Sequence, residues 1–258
     1  SLIPALIGLH RGFFYTNGNG WNIDFSYLSG QSLTSRKGKV VSQVALGRHI
    51  ERGEFKLIYI YNMNPAETLP NQGSVRKGLK RDDVFMVVHD THWTETAKLA
   101  DLVLPAPTFL EKEDVVISYS HRYVRKSQKV VEPLDESRSE LWVTTELAKR
   151  LGVKEEWVYE EPWEAVGKAL SDAFEDGNVS DLRSGKTLML KRRRNDEYQT
   201  STGKIELYSI KAEKLGLTPL PKQHPLAKKE EGFIFLNSAT RKYTHTQFQD
   251  VYGLMPPV

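Results

Sequence analysis

The strongest constraint on the fold is a five-residue apolar run, Val84-Phe85-Met86-Val87-Val88, that stops abruptly at His89-Asp90-Thr91. A short, unbroken and largely β-branched run of this kind reads as a buried parallel strand, because a strand with one solvated face would alternate with polar residues. The polar triplet then emerges at the carboxyl end of the strand, the edge where open α/β sheets receive ligands. A short helix capped by Thr91 or Thr94 is expected from Glu95 to Ala100, followed by a second clipped strand over 101–105 that Pro105 terminates.

A second apolar run, Phe55 to Tyr61, reads as another buried strand, preceded by a helix over 40–54 and followed by a loop carrying Asn62 and Asn64. A helix over 70–80 links the two strands, so strand, helix, strand, helix, strand follow in right-handed parallel order. The expected fold class is α/β, a Rossmann-like and mostly parallel sheet with flanking helices. Residues 115–129 read as an extended connector or hairpin. A helix over 139–151 places Trp142, Thr145, Leu147, Ala148 and Leu151 on one side and stops at Gly152. Residues 153–181 read as helical, whereas 187–190, 201–209 and 233–236 carry strand signals without intervening helices, the start of a β-rich, barrel-type C-terminal domain. The chain thus divides into an opening segment (1–39) with little periodicity and its packing partners elsewhere, an α/β dinucleotide-binding domain (40–184) and a truncated β-rich domain (185–258).

Charge excludes one class of partner. Lysine and arginine number 36 against 33 acidic residues, so nothing global argues for nucleic acid, and Lys191-Arg192-Arg193-Arg194 reads as a solvated face. The absence of cysteine excludes a thiolate metal site, an iron–sulfur cluster and disulfides on this stretch. No apolar run approaches the roughly 20 residues of a membrane span, and no signal-peptide pattern occurs; the compartment stays open, with the cytoplasm favoured. The chain opens within a helix-like run, Leu2 to Ile7, and closes just after a strand begins, so it reads as a piece of something longer.

Candidate functional residues cluster after the strands. The Asn64 amide suits a base edge or a diphosphate, or simply an Asn-Pro turn. Asp90 is able to accept two hydrogen bonds from a ribose diol or a guanine edge, or to cap a helix. Lys112, between two glutamates, suits a phosphate or a solvated ion pair. Thr240, Arg241, Thr244, His245, Thr246 and Gln247 crowd polar groups after an apolar strand. His89 and His92 have ligand-like spacing but no third partner, so satisfied or exposed histidines are the simpler reading. No nucleophile elbow, phosphate loop or glycine-rich dinucleotide motif occurs, and neither a catalytic residue nor a metal ligand is expected in this chain.

Five blocks, NMNPAETLPN (62–71), VVHDTHWTETAKLADLVLPAPTFLEKED (87–114), VEPLDESRSELWVTTELAKRLG (131–152), TSTGKIELYS (200–209) and LNSATRKYTHTQF (236–248), together resemble the molybdopterin oxidoreductase family. That superfamily contains formate dehydrogenases, nitrate reductases and dimethylsulfoxide reductases. The resemblance implies molybdopterin guanine dinucleotide carrying molybdenum or tungsten, with the protein binding and orienting a cofactor that performs the redox chemistry. By the same resemblance, Asn64, His89, Asp90, Lys112 and Glu140 would bind one dinucleotide. Asn237, Ser238, Thr240, Arg241, His245 and Thr246 would bind from the C-terminal part. Tyr61-Asn62-Met63-Asn64 stands where many members have a glycine, and Glu140 where many have an aspartate. The metal ligand and an iron–sulfur module would lie upstream of Ser1, leaving the chain alone without turnover. A small-molecule substrate and an electron-transfer subunit are the implied partners, and a formate dehydrogenase catalytic subunit is the nearest type. The alternative is a cofactor-free structural subunit of a respiratory complex with the same fold.

Overall fold

The structure is a computed structural model that describes residues 3–8, 20–35, 38–118, 121–192, 198, 200–220, 222 and 245–248. Two short helices, α1 (Ile3–Leu6) and α2 (Phe25–Leu28), precede α3 (Leu46–Glu51), which is shorter than the helix expected over 40–54. Val40 lies almost fully exposed, so helix formation there would bury nothing, and Gly53, at φ +72°, closes the C-terminal end.

Strands β1 (Leu57–Tyr61), β2 (Phe85–Asp90) and β3 (Leu102–Pro105) form a parallel sheet in that order, with Leu57 opposite Phe85 and Val87 opposite Leu102. The expected parallel pairing is therefore present. Between β1 and β2 lie α4 (Pro65–Thr68) and α5 (Gln72–Leu79), while the helix expected over 95–100 is one 3-10 turn, Ala97–Leu99. Asp101 locks the third strand to the second: its N–H donates to the Met86 carbonyl at 3.0 Å, and its carboxylate accepts from the Met86 N–H at 2.6 Å.

Alternation divides the sheet into two unlike faces. Ile58, Ile60, Met86, Val88 and Val103 pack into a core with Ile50, Val75 and Leu79 from α3 and α5. On the opposite face Leu57 is 62% and Phe85 51% exposed. The run read as a buried strand is buried in β2 from Met86 to His89, on both faces, whereas Leu57, Tyr59 and Tyr61 of β1 and Phe85 of β2 are exposed on the face away from α3 and α5. Those two helices approach closely enough that a Cβ on Gly78 would sit 2.7 Å from the Glu51 backbone nitrogen, so the crossing requires glycine.

The second sheet joins the hairpin of β4 (Asp114–Ile117) and β5 (Tyr123–Ser127) to β6 (Leu188–Met189), all antiparallel. Three helices lie between β5 and β6: α6 (Glu140–Leu151), α7 (Pro162–Ala169) and α8 (Val179–Arg183). Their residues Ala169, Leu170 and Leu182 share a core with Trp21, Ile23, Val124, Leu188 and Leu190. The opening segment has packing partners within the chain, since Trp21 and Ile23 are buried, and the pairing of β5 with β6 joins residues on either side of 184/185. Residues 201–209 form turns leading into α9 (Ile210–Lys214) instead of a strand, and 233–236 lie outside the described residues.

Helix α6 begins where its sequence dictates, the Ser139 hydroxyl accepting from the Trp142 N–H and Gly152 stopping it at φ +67°. Its inward residues, however, are Val143 and Ala148, whereas Trp142, Leu147 and Leu151 are exposed. Among the described residues no helix is long and apolar enough to cross a membrane.

Candidate functional site

The carboxyl edge of the parallel sheet collects the residues singled out in the sequence. Asn62 leaves β1 at φ +50°, a left-handed conformation that glycine adopts freely and asparagine tolerates better than most residues, so the sharp exit from the strand survives without glycine. Its N–H donates to the His89 carbonyl at 3.1 Å, and its side-chain amide donates to the Glu140 carboxylate.

Asn64 is buried and uses its whole amide. Its Oδ1 accepts from the Thr96 hydroxyl at 2.7 Å and the Thr96 N–H at 3.3 Å; its Nδ2 donates to Glu67 at 2.5 Å and to Thr246 Oγ1 at 3.3 Å. Thr96 is fully buried and also accepts from the Ala66 N–H at 3.0 Å. The TETA segment, expected to start a helix, is here the clamp on the β1 exit loop. Sequence reasoning passed over Thr96 because it falls inside the helix expected from Glu95 to Ala100; of the two expected caps, Thr94 accepts from the Ala97 N–H at 3.2 Å.

His89 is fully buried, one ring nitrogen 3.0 Å from the Tyr59 hydroxyl and the other 2.9 Å from the Arg138 carbonyl. Both nitrogens are engaged by the protein, so His89 braces the segment before α6 instead of presenting a donor to a ligand. Tyr59 joins this group unforeseen, hidden in the apolar pattern of β1. Burial, then the nearby Glu140 charge and Tyr61, push its phenol above the ordinary range.

Asp90 differs from its neighbours. Its Oδ1 accepts from the N–H of the next residue, Thr91, at 2.7 Å, while among the described residues nothing donates to Oδ2. It lines a cleft of about 520 Å³ bounded also by Thr91, His92, Trp93, Lys98 and Asp101.

Lys112 and Glu140 are brought together, Nζ lying 3.1 Å from both carboxylate oxygens, with each side chain about three-quarters buried. Neither presents an isolated charge to the edge. Burial works against ionisation of Glu140, but its own backbone N–H, the Asn62 amide and Lys112 hold its carboxyl below the ordinary range. Of the C-terminal candidates, His245 and Thr246 are described, His245 exposed at φ +55°, and Thr246 reaches Asn64. Asn237, Ser238, Thr240 and Arg241 lie outside the described residues. Among the described residues no three His, Cys, Asp or Glu side chains gather as a metal site.

The family profile described as molybdopterin oxidoreductase matches residues 12–150, which span both walls of this edge. The chain belongs to the molybdopterin oxidoreductase family. Probable oxidoreductase YoaE of Bacillus subtilis (strain 168) is 30% identical over 264 residues, covering 96% of this chain and 39% of that protein. The F420-dependent formate dehydrogenase subunit alpha of Methanocaldococcus jannaschii is 39% identical over 104 residues, 40% of this chain and 15% of that one. The solved structure of acetylene hydratase from Pelobacter acetylenicus superposes with a TM-score of 0.58 at 29% identity, over 72% of this chain and 26% of that chain. This chain therefore spans well under half the length of these three relatives.

Proposed function

We propose that this chain supplies one wall of the dinucleotide site in a molybdenum or tungsten oxidoreductase, most like the catalytic subunit of a formate dehydrogenase. The observation that carries the reading is Asp90: a carboxylate at the carboxyl edge of a parallel sheet that lines a cleft of about 520 Å³, with one oxygen engaged locally and the other accepting from nothing among the described residues. A carboxylate so placed accepts two N–H or O–H donors from a guanine edge or a ribose diol. The residues present fit the nucleotide end of a molybdopterin guanine dinucleotide. When bound, that group supplies two-electron redox chemistry at its metal. The chain's own work is to bind and orient: Asn64 and Thr96 fix the β1 exit loop, His89 fixes the approach to α6, and Asp90 meets the ligand.

On this reading residues 40–184 form the Rossmann-like dinucleotide-binding part and 185–258 lead into a β-rich domain. There Asn237, Ser238, Thr240, Arg241, His245 and Thr246 make the second set of cofactor contacts, the Asn64–Thr246 bond supporting that proximity. A small-molecule substrate and an electron-transfer subunit belong to the whole protein. Formate is the favoured substrate, although the relatives include a hydratase as well as a dehydrogenase, so the shared fold leaves the reaction open.

A second reading, a cofactor-free structural subunit with this fold, draws on the internal saturation of Asn64, His89 and Glu140. Metal analysis of the full-length protein, with guanine nucleotide measured after acid release, separates the two. Molybdenum or tungsten with bound guanine nucleotide supports the first reading, and a folded protein lacking both supports the second. A dye-linked assay with formate then tests the substrate.

A further inference from the structure

Within the nucleotide-site reading, on which this inference rests, we propose that Glu140 is a positioning residue and not a ligand contact. With Asn62 it holds Lys112 masked beside the sheet edge, leaving Asp90 as the carboxylate that meets the nucleotide.

Hydrogen-bonding capacity separates the two carboxylates. Each offers roughly four lone-pair positions. Three of those of Glu140 are taken: Lys112 lies 3.1 Å from each oxygen, and the Asn62 amide donates to Oε1. An ammonium equidistant from both oxygens sits where the paired N–H groups of a guanine edge would have to dock, so ligand and Lys112 compete for one position. Lys112 in turn commits two of its three donors to Glu140 and has its charge neutralised at contact distance. Asp90 shows the opposite pattern, its bonds from Thr91 both falling on Oδ1.

Side-chain length makes the clamp possible. Glu140 is the first residue of α6, and its extra methylene carries the carboxylate across to Lys112. An aspartate there would stop short by roughly one C–C bond, about 1.5 Å, and leave the ammonium free for a phosphate. The same carboxylate ties three separate elements together: the β1 exit through Asn62, the loop before β4 through Lys112, and the start of α6.

The test uses cofactor-free full-length protein titrated calorimetrically with guanosine and with GDP. Glu140→Gln should leave guanosine affinity within about twofold of wild type, because no ligand contact is lost, while GDP affinity rises about fivefold or more as Lys112 is unmasked. A tenfold or greater loss of guanosine affinity would overturn the proposal, since that is the signature of a base-reading carboxylate. In Glu140→Gln/Lys112→Met the GDP gain should vanish; its persistence would show that Lys112 is not the released cation. The double variant leaves no unpaired charge, so it remains informative even where the single variant melts early: guanosine affinity near wild type supports the proposal, and its loss overturns it. Failure of the wild type to bind either ligand would instead remove the nucleotide-site reading itself.

Discussion

Asn64 and Thr246 stand 182 positions apart, yet the Asn64 amide donates to the Thr246 hydroxyl at 3.3 Å. The same buried side chain satisfies Thr96, so one residue joins the β1 exit, the TETA segment and the C-terminal loop. Asn64→Ala would strand the Thr96 hydroxyl and N–H in a fully buried position, a loss of about 1–3 kcal/mol. The expected outcome is a lower denaturant midpoint with an unchanged slope. A midpoint equal to wild type would mean that these bonds contribute nothing net.

The crossing of α3 and α5 offers an independent check on the core beneath the sheet. A Cβ at Gly78 would lie 2.6 Å from Ile50 Cγ2 and 2.7 Å from the Glu51 backbone nitrogen. The second neighbour is backbone and is unable to rotate away. Although alanine is the better helix former, Gly78→Ala should destabilise by about 1–3 kcal/mol through overpacking. Thermal melting decides it: a raised melting temperature, as helix propensity alone would give, would refute the close approach.

Much of the sheet was legible because strand signals are local. The run ending at Val88 and the polar triplet after it place β2 and its carboxyl edge, and Ser139 and Gly152 bracket α6. What covers each face was not legible. Phe85 and Leu57 carry the same apolar signal as Val87 and Ile60, but only the tertiary arrangement decides which of them are buried. The Lys112–Glu140 pair was hidden for a related reason: the residues are 28 positions apart, and sequence supplies the charges without the distance. Pairing of β6 with β5 likewise depends on a contact between strands distant in sequence, which composition does not show.

Glu140 should leave a pH signature. Its folded carboxyl titrates below the ordinary range, so it contributes stability above the unfolded value, about 4.3 for glutamate, and loses it as pH falls through the lowered folded value. Wild type should therefore exceed Glu140→Gln in melting temperature most at neutral pH, with the gap closing on acidification below about 4.3. A gap constant from about pH 7 to about pH 3 would mean that the ionised pair is not what the substitution removes.

On the proposed nucleotide-site reading the residue to test is Asp90, because it lines the cleft and carries an oxygen that nothing among the described residues engages. Its bond to the Thr91 N–H is a local one, and losing a hydrogen bond of that kind alone costs about 1 kcal/mol. A ligand contact would be charge-assisted and worth about 1.5–3 kcal/mol, roughly a ten- to hundredfold change in cofactor retention. Asp90→Asn keeps the side-chain oxygen that accepts from the Thr91 N–H while removing the charge, so it separates the two roles. In matched purifications of the full-length protein, Asp90→Asn should fold with a melting temperature close to wild type but retain markedly less pterin and guanine nucleotide. Asp90→Ala should lose both cofactor and some stability. Undiminished cofactor in Asp90→Asn would reduce Asp90 to a residue that orders the Thr91 backbone and return the search for the nucleotide contact to the C-terminal loop around Thr246.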